Sequence, residues 1–436
     1  MADEKDYNAV LYEKLYSKLA VALGVGSPER DSTIGESLLS IYNPGQYLPV
    51  GLDPIANPED DQEISQIFDT APMFNFTYSP VNLRVSQAYS SILQYKLYPI
   101  ADLSPQEKQK LADAQKSYEE LAPACDAAED NYWDARIPYD EAEANYANGT
   151  GPAPTPAMKR AVERALEKWI AAGKIKQETN LAIIKQLQGR DGSAFWDRLD
   201  TLFAENQRKL KSGATFPPVT LAPKYNSWFK DAGWTKFSFD QKDMNNQSTS
   251  NSIGVAGSLD GKFGIVTLSG SGDYKQDQEY IKVQQTELTF RCELMRVTIS
   301  RNWMNSLVFN SRAWKFDPTA PSAKYSSGGS IQDRIVPVGP FVSIPTTVIL
   351  ARNVEIIGKF QDTVEERMKR ELAANASLGI GPFSISGNVS YRDRKETIKG
   401  TIANNLITIK DTQIIAAISQ VLPELPNPDP NLPWPT

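Results

Sequence analysis

The stretch Ser252-Ile-Gly-Val-Ala-Gly-Ser-Leu-Asp-Gly-Lys-Phe-Gly-Ile-Val-Thr-Leu-Ser269 places two alternating arms around Asp260-Gly261. Asp-Gly accepts the positive φ angles of a two-residue turn whose twist matches that of paired strands, so the sequence predicts a β-hairpin. Ile253, Val255 and Leu259 share one face of the first arm. Phe263 and Ile265 share one face of the second, before the phase slips to Val266 and Leu268. The positions between them are mostly glycine, alanine or serine. A second stretch is patterned alike. After Gly379 and Gly381-Pro382, the residues Phe383, Ile385, Val389 and Tyr391 alternate with Ser384, Ser386, Asn388 and Ser390.

The neighbouring sequence reads as more sheet. Glu279 to Ser300 predicts one long strand or a bent pair, and the shift of apolar phase from Leu294 to Met295 predicts a bulge. Trp303 to Phe316 is an aromatic corner, Thr346 to Ile357 a strand, and Gln361 to Ala376 an amphipathic helix. Leu406 to Leu422 predicts one or two closing strands or a short helix. The tail from Pro423 to Thr436 alternates proline with polar residues and predicts a polyproline-like strap on the protein's own surface.

The middle of the chain is helical. Ser104-Pro105-Gln106-Glu107 is a helix start, with Ser as cap, Pro first in the helix and Glu third. Pro123 and Pro138 should kink or interrupt this helix. After the breaker Asn148 to Pro156, a second helix is expected to Leu187 and a shorter one over Phe195 to Lys211. The N-terminal segment predicts a helix over Asp6 to Leu23, an extended wrapping loop over Ser27 to Pro72, and a helix over Val81 to Leu97. The fold class is therefore α+β. Residues 1–103 form a mixed helix and loop segment packing on the rest, 104–212 a helical hairpin or small bundle, and 213–436 a mostly antiparallel β part ending in the strap.

Composition then restricts the chemistry. The 436 residues contain no histidine, which removes Ser-His-Asp and Cys-His nucleophiles, His-ligated metals and His acid–base catalysis. Two distant cysteines, Cys125 and Cys292, make neither a disulfide framework nor a cysteine zinc site. A net charge of −7 argues against general nucleic-acid binding, and the basic run Lys159 to Lys176 reads as a solvated helix face. The Gly257 to Lys262 stretch is too short for a phosphate loop. Glu59-Asp60-Asp61-Gln62-Glu63 could hold a divalent cation but lacks the spacing of a calcium loop. No apolar run approaches the ~18 residues of a spanning helix, and mean hydropathy is −0.41. The first residues have no basic-then-apolar leader pattern. The expectation is a chain that is cytoplasmic as made or released by a non-classical route.

No catalytic, cofactor-binding or metal residue is predicted, and an enzyme is not expected. The leading expectation is a membrane-active, β-pore-forming, toxin-like protein that self-associates. Its membrane-contacting residues would be Ile253, Val255, Leu259, Phe263 and Ile265, with Phe383, Ile385, Val389 and Tyr391 as a second strand. Apolar residues would face lipid and small ones the lumen, with oligomer closure satisfying the strand edges. The alternatives are a shell, filament or adaptor subunit, and a carbohydrate- or ligand-binding module using Trp228 and Trp234. The partners expected are further copies of the chain and a lipid membrane, with no nucleic acid and no small-molecule cofactor.

Overall fold

A computed structural model describes residues 7–23, 36–99, 103–147, 152–188, 192–240, 243, 266–269, 278–281, 288–331, 333–358, 360–391, 394–403 and 405–435. The class is α+β, with a long central helix and antiparallel sheets. The main sheet has eight strands. Its path runs Ser37–Tyr47, Gln413–Val421, Ser343–Ile357, Thr289–Ser300, Thr220–Ala222. Thr235–Phe239 also pairs with Thr289–Ser300, and Leu406–Ile409 with Ser343–Ile357. Val348, Ile349, Leu350 and Ala351 of the central strand are all buried. Both of its faces are covered, which is why it reads as a continuous apolar run rather than an alternation.

No bulge falls at the expected place, since Leu294 pairs with Ala351 and Met295 with Leu350 in regular register. An irregularity lies earlier, with its extra residue in the partner strand. Arg291 pairs with Glu355 and Glu293 with Arg352, so Cys292 stands opposite both Asn353 and Val354. Asn353 takes φ 50°, a left-handed conformation that asparagine tolerates better than most residues.

A second, five-stranded sheet runs Gln278–Ile281, Val266–Ser269, Ser377–Ile380, Phe383–Tyr391, Arg394–Lys399. The stretch Glu279 to Ser300, expected as one long strand or a bent pair, is divided between two sheets, with Gln278–Ile281 in one and Thr289–Ser300 in the other. The second sheet meets the edge strand Ser37–Tyr47 very closely. A Cβ added to Gly379 would lie 2.3 Å from Pro44 Cβ, and one added to Gly45 would lie 2.6 Å from the Pro382 carbonyl oxygen. Across this joint the Tyr47 hydroxyl donates to Ser384 O at 2.5 Å, and Ser384 N donates to Gln413 Oε1 at 2.7 Å.

The N-terminal segment is more regular than expected. Ser37–Tyr47 is an edge strand of the main sheet rather than a wrapping loop, and Pro58–Phe68 is a helix. The acidic run follows the Asn57 cap and Pro58, so Glu59, Asp60 and Asp61 form the first helical turn, where carboxylates are favoured. Those groups are already engaged: Asp61 accepts from Arg208 Nη1 at 2.6 Å, and Asp60 from the Asp53 amide at 2.9 Å. Only Val85–Tyr95 of the next expected helix is helical, preceded by the strand Pro80–Arg84.

The long helix runs Pro105–Ala147 and continues through both Pro123 and Pro138. Its start is a capping box, with Ser104 N donating to Glu107 Oε2 at 3.0 Å and Glu107 N to Ser104 Oγ at 3.3 Å. The next expected helix breaks into Pro156–Ala171 and Lys174–Gln188 at Gly173, whose φ is 112°. The last one covers Ser193–Glu205.

Two buried cores join the sequence segments, the first linking residues 1–103 to 213–436 and the second linking all three. The first joins Leu11, Leu15 and Leu19 of the N-terminal helix (Tyr7–Ala22) to both sheets. The second gathers Tyr89, Trp196, Trp303, Phe309, Trp314 and Phe341 around the aromatic corner. Arg301 lies at the junction. Its guanidinium donates to Pro345 O at 2.7 Å and Phe68 O at 2.8 Å, and the neighbouring Asp69 accepts from Ser86 N at 3.0 Å. The tail is a strap: Glu424–Leu425 pairs with Ser326–Ser327, and the Trp434 ring lies 5.1 Å from Lys315 Nζ.

Candidate functional site

The main sheet contains an interrupted hairpin. Thr235–Phe239 and Thr289–Ser300 are antiparallel neighbours, with Phe239 opposite Phe290. Strands paired in this way are usually joined by about two to five residues. Here the connection is residues 240–288, and it contains the whole Asp260-Gly261 sequence. Part of it crosses to the other sheet: Val266–Ser269 pairs with Gln278–Ile281 on one side and with Ser377–Ile380 on the other. Ile253, Val255, Leu259, Phe263 and Ile265 lie outside the described residues.

The second expected strand exists, but its apolar face is occupied. Phe383 and Ile385 are fully buried, and the Phe383 ring centre lies 5.5 Å from that of Phe290. In this conformation neither can meet lipid. Ser384 and Ser386 are buried as well, the latter donating to Ala376 O at 2.6 Å. The alternation therefore marks a strand covered on both faces near its turn, not an amphipathic one. Val389 and Tyr391 extend the same strand opposite Glu396 and Arg394.

The two tryptophans do not form a joint platform. Trp228 is 0% exposed, packs edge-on to Phe68 and Tyr225, and donates its indole N–H to Pro223 O at 2.9 Å. It is a core residue and closed to a ligand. Trp234 is half-buried, and the Arg352 guanidinium sits 4.4 Å from its ring centre, so a cation already covers one face.

The two cysteine thiols lack the environment of a nucleophile. Burial pushes the Cys292 thiol up to about 12 and raises Cys125 as well, the reverse of an activated thiolate. Among the described residues no cluster of carboxylates and thiols could hold a metal ion. No helix among them is long and apolar enough to cross a membrane.

Asp126, on the long helix, is the most displaced carboxylate. Burial, then the charges of Glu129 and Asp130, push it up to about 7. An acid whose folded pKa is raised destabilises the fold above that pKa, and the penalty fades as pH falls from about 7 toward 4. Asp126 is exposed on the helix surface, so water screens much of the repulsion, and Asp126→Asn is expected to be more stable than the parent by roughly 0.5 kcal/mol near pH ~8. The advantage should vanish near pH ~4. Urea melts at the two pH values check both the sign and its loss.

One feature escaped sequence reasoning. Ile335, Val336 and Val338 stand 53%, 63% and 74% exposed in one short loop around Pro337. They are not a floppy tip. Ser330 and Ile335 exchange backbone hydrogen bonds at 3.0 and 2.8 Å, Ser327 N donates to Val338 O at 2.9 Å, and Glu36 accepts from the Ser330 hydroxyl at 3.0 Å. The backbone holds three branched apolar side chains in water. The run Ile-Val-Pro-Val between Gly328-Gly329 and Gly339 was the available signal.

No family model, no curated protein and no solved structure matches this chain.

Proposed function

We propose that the protein is membrane-active and forms pores, with Val266–Ser269 and Gln278–Ile281 leaving the second sheet so that residues 240–288 extend the central hairpin. The observation that carries this reading is the ladder ending at Phe239 opposite Phe290. Continuing that ladder needs no change of strand order. The midpoint of the connection is Gly264, a few residues from Asp260-Gly261, and each half exceeds the ~9–11 residues that cross a bilayer as a strand. Ile253, Val255 and Leu259 would then face lipid, with the small residues between them facing the lumen. The loop bearing Ile335, Val336 and Val338 suits first contact with the membrane surface. A shell or filament subunit is the second reading, favoured by the strap that pins the C-terminal tail.

Release of carboxyfluorescein from phosphatidylcholine vesicles tests the proposal. A lysine on the lipid face of a barrel strand costs about 2–4 kcal/mol at the bilayer centre. Val255→Lys is therefore expected to lower release at least tenfold while leaving circular dichroism and the thermal melt unchanged. Unaltered release by this variant would remove the hairpin from the mechanism. Ordered particles without lipid, and no release, would favour the subunit reading.

A further inference from the structure

We propose that the helical arm carries both halves of a head-to-tail contact with a second copy of this chain. The receiving half is a groove of about 730 Å³ between the first half of Pro105–Ala147 and the helix Lys174–Gln188. Ala114, Ser117, Asn180 and Ile183 line it together with the charged Lys110, Asp113 and Lys176. Small residues where two helices face each other leave a trough, the shape that accepts a third helix by its apolar face. Asn180 is only 8% exposed, yet its amide nitrogen has no hydrogen-bond partner among the described residues. A buried donor of this kind normally has one.

The inserting half is on Pro156–Ala171. That helix turns Val162, Ala165 and Trp169 toward Tyr132 and Trp133. Leu166 and Ile170, one turn apart, remain 37% and 44% exposed, and Ile175 beyond Gly173 is 61% exposed. Helical spacing puts Lys159, Glu163 and Glu167 in the same sector of about 100° as Leu166 and Ile170. This stripe carries two carboxylates and one ammonium. The groove carries two ammoniums and one carboxylate. Lys110, Lys176, Glu163 and Glu167 make no ion pair among the described residues. The apolar centres and the flanking charges are thus complementary, which favours one copy's stripe in the next copy's groove.

Groove and stripe are different patches: the groove is lined from Pro105–Ala147 and Lys174–Gln188, and no residue of Pro156–Ala171 lines it. A contact between unlike patches is heterologous, so it propagates into a ring or a filament rather than stopping at a dimer. The inference supplies the self-association step of the proposed function, but it is measured without lipid, so its failure is distinguishable from failure of the pore reading.

The test uses two variants of the full chain, each with one half disabled: Ile170→Glu in the stripe and Lys176→Glu in the groove. Both positions are exposed, so folding is expected to persist, as circular dichroism would verify. By sedimentation velocity the parent should form species larger than a dimer. Each variant alone should associate at least tenfold more weakly. Their equimolar mixture should give a dimer and stop there, because one intact groove then meets one intact stripe. A parent that stays monomeric, an Ile170→Glu variant that assembles like the parent, or a mixture no larger than its components would each overturn the proposal.

Discussion

An S269C/S377C protein is expected to be silent in vesicle release when oxidised and active after addition of dithiothreitol, with at least a tenfold difference between the two. Ser269 lies directly opposite Ser377 in the second sheet. Antiparallel partners have Cα atoms roughly 4.5–5.5 Å apart, inside the range a disulfide bridges. The link would fasten the 240–288 connection to the strand Ser377–Ile380, while the main sheet and the exposed apolar loop stay as they are. The native thiols do not interfere, since Cys125 and Cys292 are both buried. If extension of the central hairpin opens the membrane, the connection must first leave Ser377–Ile380, and the link forbids it. Equal release by oxidised and reduced protein would mean that this detachment is not part of the mechanism.

Arg301→Met is expected to lower stability by about 3–5 kcal/mol, because two buried carbonyls lose hydrogen bonds from a charged donor, worth about 1.5–3 kcal/mol each. Burial lowers the Arg301 pKa to about 10, and the Asp69 and Tyr78 charges oppose that fall. Methionine would leave the carbonyls of Phe68 and Pro345 without these donors and remove one of the positive charges that favour ionised Asp69. Burial already raises the Asp69 pKa. Without Arg301 it should rise further, so the folded variant takes up a proton more readily than the unfolded chain. Its deficit should therefore be largest at neutral pH and shrink as pH falls. Urea denaturation across pH measures both the size and the trend. A loss below about 1 kcal/mol at neutral pH would show that the junction between the two cores is not held by this cluster.

What the sequence disclosed was mostly local. The start of the long helix was legible because Ser104 and Glu107 cap each other across one turn. The helix Tyr7–Ala22 was legible from the spacing of Leu11, Leu15 and Leu19. The edge strand Ser37–Tyr47 was not, because its partner is Gln413–Val421 at the far end of the chain and it contains Pro44 and Gly45. Leu38, Leu39, Ser40 and Ile41 are all buried, so the segment shows no alternation. Asn57-Pro58 was a capping signal standing beside carboxylates that drew attention as cation ligands instead. At the candidate site the Asp260-Gly261 turn could be read, but the pairing of Phe239 with Phe290 is long-range, so the interruption of the hairpin was invisible. Aromatic density could not say that Trp228 faces inward, since one ring in sequence carries no direction.

The account is tested most directly by labelling single cysteines from position 253 to position 265 with an environment-sensitive fluorophore and adding phosphatidylcholine vesicles. The native cysteines are buried and should resist labelling. The extended hairpin predicts emission that shifts to the blue with a period of two, at Ile253 and Val255 but not at Gly254 and Ala256, because alternate residues of a strand face lipid. Spectra that do not change with vesicles, or that shift equally at adjacent positions, would contradict it.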